Sequence, residues 1–204
     1  LSGVFLIVFL TQHFIINITS VFSEDIFNML SHFMGNNPLV QFILQPILIA
    51  GVLFHFVMGF VLEWQNRKAR PVTYAMYKGS RNSMFVSRNM IISGIVILSF
   101  LVLHFYDFWV PEMDYKYIQV KPEDPDRYYE ELIHKFESPI RVSLYCLSFI
   151  FLGLHLVHGL SSSTQSLGTN NKYASTIQKI SYAFGIGIPL GFCFIALYHF
   201  FIHF

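Results

Sequence analysis

The sequence predicts an all-α membrane protein in which five transmembrane helices form a bundle, and two observations lead to that prediction. The first is composition: of 204 residues 54% are hydrophobic and 12% charged, against about 25% charged in a soluble domain. A particle of this size cannot bury so much apolar surface within itself. The second is a set of five apolar stretches of about 20 residues, the length that crosses roughly 30 Å of hydrocarbon. These stretches, which we expect to form one domain, cover residues 1–22, 38–64, 88–110, 139–160 and 179–204.

The first stretch is predicted to be a retained helix and not a cleavable signal peptide. Polar residues interrupt what would otherwise be a plain apolar segment; they are Thr11, Gln12, His13 and Asn17. The sequence begins at Leu1 without an initiator methionine or a basic flank, so we expect further residues upstream.

Capping residues mark the starts of three later helices. Asn37, Ser87 and Ser138 each offer a capping side chain, and a proline follows Asn37 and Ser138 in the first turn. Pro189 lies among three glycines in the last stretch and predicts a bend there.

The distribution of charge predicts the orientation, because short cytoplasmic loops hold an excess of lysine and arginine. Five such residues lie between the second stretch and Arg88, whereas the connection after the first stretch carries Glu24 and Asp25 and no basic residue. The loop 111–138 is acidic and belongs outside. The N-terminus is therefore predicted in the cytoplasm and the C-terminus outside. The 13 basic and 12 acidic residues nearly cancel, and without a basic tract we expect no nucleic-acid binding.

Four histidines fall inside the predicted spans at two matched depths. His55 and His155 lie about nine and six residues, roughly 13 and 9 Å, from the inner ends of spans two and four. His13 and His104 lie at the same distances from the outer ends of spans one and three. Ionisable groups at membrane depth are costly and usually mark a functional site. Because a b-type haem iron takes one neutral imidazole from either side, the pairs predict two stacked bis-histidine haems.

Glycines beside the inner pair predict room for a flat macrocycle. Gly51 and Gly59 flank His55 by one turn on either side, and Gly159 follows His155 by one turn. The sequence contains no C-x-x-C-H motif, so covalent c-type attachment is excluded.

Three further histidines of the spans have alternative interpretations. His158 is the alternative ligand to His155, since it lies about one turn further along the same helix. A single intramembrane histidine more often bonds to a neighbouring helix than to haem, so the matched depths carry the prediction. For His199 and His203, near the outer end of span five, we expect a structural or interfacial role.

Two six-coordinate haems predict a function. With both axial positions filled, oxygen activation is disfavoured and one-electron transfer is natural. Helix arithmetic separates the two irons by on the order of 10 Å along the membrane normal. The sequence therefore predicts transmembrane electron transfer.

Four segments carry a resemblance to a known family, and together they cover nearly the whole chain. They are SGVFLIVFLTQHFIIN around His13, LFHFVMGF around His55, SRNMIISGIVILSFLVLHFYDFW around His104 and GLHLVHGLSSSTQSLG around His155. The chain resembles the five-helix, dihaem cytochrome b anchor subunit of succinate:menaquinone oxidoreductases and quinol:fumarate reductases, the membrane part of respiratory complex II of the tricarboxylic acid cycle.

The resemblance implies roles for the four histidines and implies partners. His55 and His155 would hold the proximal haem, next to a cytoplasmic iron–sulfur subunit, and His13 and His104 the distal haem. A flavoprotein with covalent FAD and the iron–sulfur protein with its clusters would perform the dicarboxylate chemistry, and menaquinone would be the membrane substrate. We expect the partners to dock on residues 67–88 and 161–165, in a bacterial cytoplasmic (inner) membrane.

Two features depart from that family. Some of its members carry a glutamate two residues before the last haem histidine for proton movement, and this chain has Gly153 there. The loop 111–138 is also longer than the family leads us to expect.

Polar residues near the distal haem are candidates for quinone binding and proton exchange. They are Asn17, Glu24, Asp25, His32 and Asp107. Asp107, three residues past His104, is favoured. Arg88 at the inner mouth and Arg141 at the outer mouth are candidate countercharges for haem propionates, with snorkelling to lipid headgroups as the alternative.

Two other functions stay open from the sequence. One is the cytochrome b subunit of a hydrogenase or formate dehydrogenase, which copurifying subunits would distinguish. The other is a haem-free transporter or scaffold whose histidines serve packing or proton relay. Against transport, the sequence has no inverted repeat and no pair of broken helices in corresponding halves.

Overall fold

A computed structural model describes residues 2–69, 90–166 and 174–203, and within these ranges the chain is helical and contains no strand. The helices are α1 (Ser2–Thr19), α2 (Glu24–Asn36), α3 (Gln45–Lys68), α4 (Met90–His104), α5 (Arg127–Phe136), α6 (Pro139–Ser166) and α7 (Ala174–His203). Wide helical turns precede α3 from Val40 and continue α4 as far as Ile118.

Among the described residues, five helical segments are long and apolar enough to cross a membrane, which confirms the predicted fold class. They are Ser2–Thr19, Val40–Lys68, Met90–Ile118, Pro139–Leu160 and Ser175–His203. Large apolar side chains lie exposed along these segments, including Val8, Val102 and Leu190. Such surface belongs against lipid. The third segment is longer than predicted, because the helix continues past Val110 into the acidic loop.

Prolines explain the wide turns at Val40–Leu44 and Phe105–Trp109. Pro46 and Pro111 have no N–H to donate to the carbonyl four residues earlier, and their rings clash with it. The backbone widens to five-residue bonds just before each: Gln45 N donates to Val40 O, and Val110 N donates to Phe105 O. Each helix therefore continues through its proline without a break.

Pro189 lies inside α7, which is continuous from Ala174 to His203. The carbonyl that Pro189 leaves without its helical donor belongs to Gly185, and α6 packs against it. A Cβ on Gly153 would lie 3.0 Å from Gly185 O, and a Cβ on Gly185 would lie 2.6 Å from Val157 Cγ2. Small residues thus let the two backbones approach closely. A glutamate side chain at position 153 would collide with α7, which gives the departure at Gly153 a packing reason.

Caps form where the sequence predicts them within the described residues. Asn37 Oδ1 accepts bonds from the N–H groups of Leu39 (3.0 Å) and Val40 (3.3 Å), and Ser138 Oγ accepts one from Arg141 N at 3.4 Å. Ser87 lies outside the described residues.

Two short helices, α2 and α5, cover one end of the bundle and were not predicted. Asn28 joins them: its amide donates to Asp126 O at 3.0 Å, and its carbonyl oxygen accepts from Tyr129 N at 2.8 Å. We call the layer formed by α2, α5 and residues 110–118 the capped end. The loop 111–138 is therefore largely a folded cap.

A compact ion-pair network ties this cap together. Glu112 bonds to both Arg127 and Lys116, Arg127 also bonds to Glu131 at 2.6 Å, and Lys116 Nζ donates to Gly35 O at 2.6 Å. Burial alone would lower the pKa of Arg127, but its bonds to Glu112 and Glu131 raise that pKa above its usual value. The network therefore holds Arg127 charged and fixes the long loop against α2.

We expect Glu112→Gln to loosen the cap. Losing a charge-assisted bond between half-buried groups costs about 2 kcal/mol of local stability. Because about 1.4 kcal/mol corresponds to a factor of ten, the fraction of molecules with an open cap should rise more than tenfold. Limited trypsin digestion after Lys116 or Arg127, the two basic residues that the network holds, should accelerate to the same extent. Glu130→Gln, which changes an exposed glutamate of α5, is the matched control, and equal cleavage rates in the two variants would contradict the proposed network.

Candidate cofactor site

The structure brings His13 of α1 and His104 of α4 together near the capped end. Their ring centroids lie 5.7 Å apart with planes at 84°. Phe9 stacks on His13, Phe100 stacks on His104, and Phe192 of α7 lies 5.8 Å from the ring of His13. The pair is thus enclosed by aromatic side chains from three helices.

His55 of α3 and His155 of α6 form a second pair. Their ring centroids lie 6.2 Å apart with planes at 74°. Each Nδ1 faces a serine hydroxyl: Ser2 Oγ lies 3.3 Å from that of His55, and Ser93 Oγ lies 3.2 Å from that of His155. Sequence analysis did not single out either serine.

The distance between the two histidine pairs along the bundle can be counted independently on two helices. Along α1, Ser2 at the level of the second pair and His13 of the first are eleven residues apart. Along α4, Ser93 and His104 are also eleven residues apart. At 1.5 Å per residue both give about 16 Å. This is wider than the roughly 10 Å expected from the sequence.

The spacing within each pair fits two imidazoles bound across one metal. An imidazole nitrogen lies about 1 Å from its ring centroid and binds a transition metal at about 2 Å, so two axial rings stand about 6 Å apart by centroid. Within the described ranges, no group of three or more metal-binding side chains gathers. A bare ion generally needs about four ligands, whereas a haem iron brings four of its own and needs only the two imidazoles.

One ring nitrogen of the first pair has no protein partner. His104 Nδ1 is buried and makes no hydrogen bond with the described residues. His13 has a weak neighbour, because Asn17 Nδ2 lies 3.4 Å from both of its ring nitrogens while donating to His13 O at 2.8 Å. These two imidazoles are therefore held by packing more than by hydrogen bonds.

The glycines differ in the space they leave around the second pair. A Cβ on Gly59 would meet nothing within 4 Å, and one on Gly159 would meet Met90 Cε at 3.5 Å and His155 Cδ2 at 3.9 Å. A Cβ on Gly51 would lie 2.8 Å from Phe5 Cε1, so the Phe5 ring takes the space there.

His155 is the histidine of α6 that faces His55. His158, one turn away, has a buried Nδ1 with no hydrogen-bond partner among the described residues. The ring contact with His55 is made by His155. The geometry thus favours His155 over the alternative ligand.

Asp107 and Arg141, predicted for separate roles, form one cluster. Asp107 is 1% exposed, and its Oδ2 lies 3.0 Å from Arg141 Nε and accepts a bond from Tyr145 OH, also at 3.0 Å. Its Oδ1 is buried without a partner among the described residues. The Tyr145 ring also lies 6.4 Å from that of His104. Tyr145 was missed because nothing in the sequence aligns α6 with α4.

The other polar candidates belong mainly to the cap. Glu24 and Asp25 form the first turn of α2, where acidic side chains stabilise a helix. His32 Nδ1 accepts a bond from Asn36 Nδ2 at 2.8 Å. Arg88 lies outside the described residues.

His199 has a structural partner in α1. It is 1% exposed, its Nε2 lies 2.9 Å from Ser20 Oγ, and its ring stacks on His203 at 5.8 Å. The bond joins the end of α7 to the end of α1.

A groove between α1 and α2 was missed by the sequence analysis. Its volume is about 560 Å³, and it is lined by Val8, Thr11, Gln12, Ile15, Ile16, Leu30, Phe33 and Met34. Gln12 Nε2 is 3.3 Å from Met34 Sδ, a weak acceptor. Gln12 precedes His13 in α1, so the groove lies at the level of the first histidine pair, on another face of that helix. The Gln12 amide, a polar group at membrane depth, was the signal in the sequence that could have indicated this groove.

Comparisons with known proteins do not identify a family. No family model, no curated protein and no solved structure matches this chain. The two histidine pairs, the buried Asp107 cluster and the groove are therefore the features from which function is inferred.

Proposed function

We propose that this chain is the membrane-anchor cytochrome b subunit of a succinate dehydrogenase or fumarate reductase. It would carry electrons through two bis-histidine b haems between an iron–sulfur subunit and membrane menaquinone. The observation that supports this most is the arrangement of four imidazoles from four helices as two pairs, about 16 Å apart in level.

Each pair would hold one haem, His55 with His155 and His13 with His104. A haem held by two imidazoles would supply one-electron exchange and would disfavour oxygen binding. Phe9, Phe100 and Phe192 surround the first pair with apolar rings, and neutral imidazoles suit such a site. A Cβ on Gly59, one turn from His55, would meet nothing within 4 Å.

Charge at the two ends of the bundle supports an orientation. Arg67 and Lys68 lie in the last turn of α3, away from the capped end, whereas the connection 20–39, which includes α2 of the cap, holds no lysine or arginine. By the positive-inside rule the capped end faces outside. The pair His55–His155 then lies on the cytoplasmic side of a bacterial inner membrane, where the flavoprotein and iron–sulfur subunits with their FAD and clusters would dock.

The groove between α1 and α2 is the proposed quinone site. It lies at the level of His13 along α1, has apolar walls, and offers the Gln12 amide as a donor to a quinone carbonyl. None of the polar candidates from the sequence lines it.

We expect Gln12→Leu to slow oxidation of a menaquinol analogue by the whole complex about tenfold, the equivalent of one lost hydrogen bond. The haem spectrum should stay unchanged. Gln45→Leu, a glutamine at the start of α3 outside the groove, should leave the rate at the wild-type value. Wild-type kinetics in Gln12→Leu would contradict this location of the quinone.

The subunits that copurify with the chain test the proposed function. Gentle solubilisation of native membranes and purification through a tag on this chain should yield a flavoprotein with covalent FAD and an iron–sulfur protein. The complex should interconvert succinate and fumarate with a quinone. Copurification of a hydrogenase or a formate dehydrogenase would instead support the alternative electron-carrying function.

A further inference from the structure

We propose that Ser93 is a positioning residue for His155: its hydroxyl fixes the imidazole tautomer and thereby lowers the reduction potential of the haem held by His55 and His155. This inference rests on the proposed function. The inference adds to the proposed function a residue that touches neither the iron nor a substrate.

The hydrogen bonds of Ser93 define its role. Ser93 is 5% exposed, and its Oγ donates to Met90 O at 2.9 Å. The hydroxyl has one hydrogen, and it donates that hydrogen to Met90 O. Toward His155 Nδ1, which lies 3.2 Å away, the Ser93 oxygen therefore presents a lone pair and acts as an acceptor. The ring nitrogen facing it must then carry the hydrogen. Nε2 is left with the free lone pair that a metal requires.

A hydrogen bond accepted from Nδ1–H makes the other ring nitrogen a stronger donor. A stronger axial donor stabilises the oxidised, more positively charged iron and lowers its reduction potential. The effect is enhanced at a buried site, where hydrogen bonds are electrostatically stronger than in water. Ser2 Oγ, 3.3 Å from His55 Nδ1, offers a similar contact across the pair.

The first histidine pair has no serine hydroxyl that accepts a hydrogen bond from an imidazole among the described residues. His104 Nδ1 has no partner among the described residues, and the neighbour of the His13 ring is an amide donor, not an acceptor. The hydroxyl of Ser93 therefore acts on one haem, and the other serves as an internal reference in the same protein.

Ser93 also differs from an ordinary helix serine. Ser99, on the same helix, donates to Ile95 O at 3.0 Å, the back-bond common for serine in membrane helices. Ser93 makes such a back-bond and contacts a histidine in addition. Ser99→Ala therefore removes an equivalent back-bond without touching an imidazole and is the matched control.

The experiment is a redox titration of both b haems in the purified whole complex, with electron paramagnetic resonance of the oxidised haems. In Ser93→Ala we expect one midpoint potential to rise, and one of the two low-spin signals to move, while the other haem keeps its wild-type values. Ser93→Thr, which keeps the hydroxyl, should restore both. Ser93→Cys, of similar size but a weaker acceptor, should give an intermediate shift even if the alanine variant accumulates poorly.

The outcomes separate this inference from the proposed function. Wild-type potentials and signals in both Ser93→Ala and Ser93→Cys would overturn the role of Ser93 and leave the haems in place. Equal shifts of both haems, or the same shift in Ser99→Ala, would also overturn it, since they indicate a general change in packing. A wild-type complex without haem would overturn the proposed function itself.

Discussion

Replacing His104 with alanine should remove one of the two proposed haems from the purified protein and leave the other, and His13→Ala should give the same result. Each iron depends on two imidazoles, and the partner ring 5.7 Å away cannot supply both axial bonds. By the same reasoning we expect His55→Ala to remove the other proposed haem. Haem extraction and reduced-minus-oxidised spectra measure the loss, and electron transfer between dicarboxylate and quinone should be abolished in each variant.

His155 and His158 provide the control within one helix. Both are histidines of α6 one turn apart, yet His155 makes the contact with His55. We expect His155→Ala to lose one haem and His158→Ala to keep both. The reverse pattern would make His158 the ligand and overturn the assignment at this pair.

Arg141→Met is expected to destabilise the protein strongly. Asp107 is buried, and Arg141 and Tyr145 are its polar partners among the described residues. Removing the guanidinium leaves a buried carboxylate uncompensated, which costs about 3–5 kcal/mol. Thermal unfolding in detergent should show a markedly lower midpoint, and haem held by His104, about one turn from Asp107, should be released first.

The double variant Asp107→Leu with Arg141→Met tests whether the uncompensated Asp107 carboxylate causes the loss of stability. Replacing both partners of a buried ion pair by apolar groups is often neutral, so we expect the double variant to regain most of the lost stability. Arg67→Met, which breaks an exposed pair with Glu63, should change stability by less than about 1 kcal/mol. A double variant as unstable as Arg141→Met would show that the buried charge is not responsible.

The spans were predictable because lipid imposes one requirement on every spanning helix, a long apolar run. The small helices α2 and α5 were not, since their side chains are mixed and their stability comes from contacts such as Asn28 with Tyr129. Ser23 capping α2, with Glu24 and Asp25 in its first turn, was the local signal available.

The histidine pairs were predictable for a related reason. Helical rise is constant, so depth can be counted along each span, and equal depths bring His13 to His104 and His55 to His155. Which helices lie side by side depends on how they pack, and counting residues along a single sequence does not reveal that packing. The ion pair of Asp107 with Arg141 therefore emerged only from the structure.

The haem content of the purified, full chain tests the central claim most directly. We expect two b-type haems per chain, measured by haem extraction against protein concentration, with the reduced spectrum of bis-imidazole iron. A pure, folded protein without haem would contradict the account.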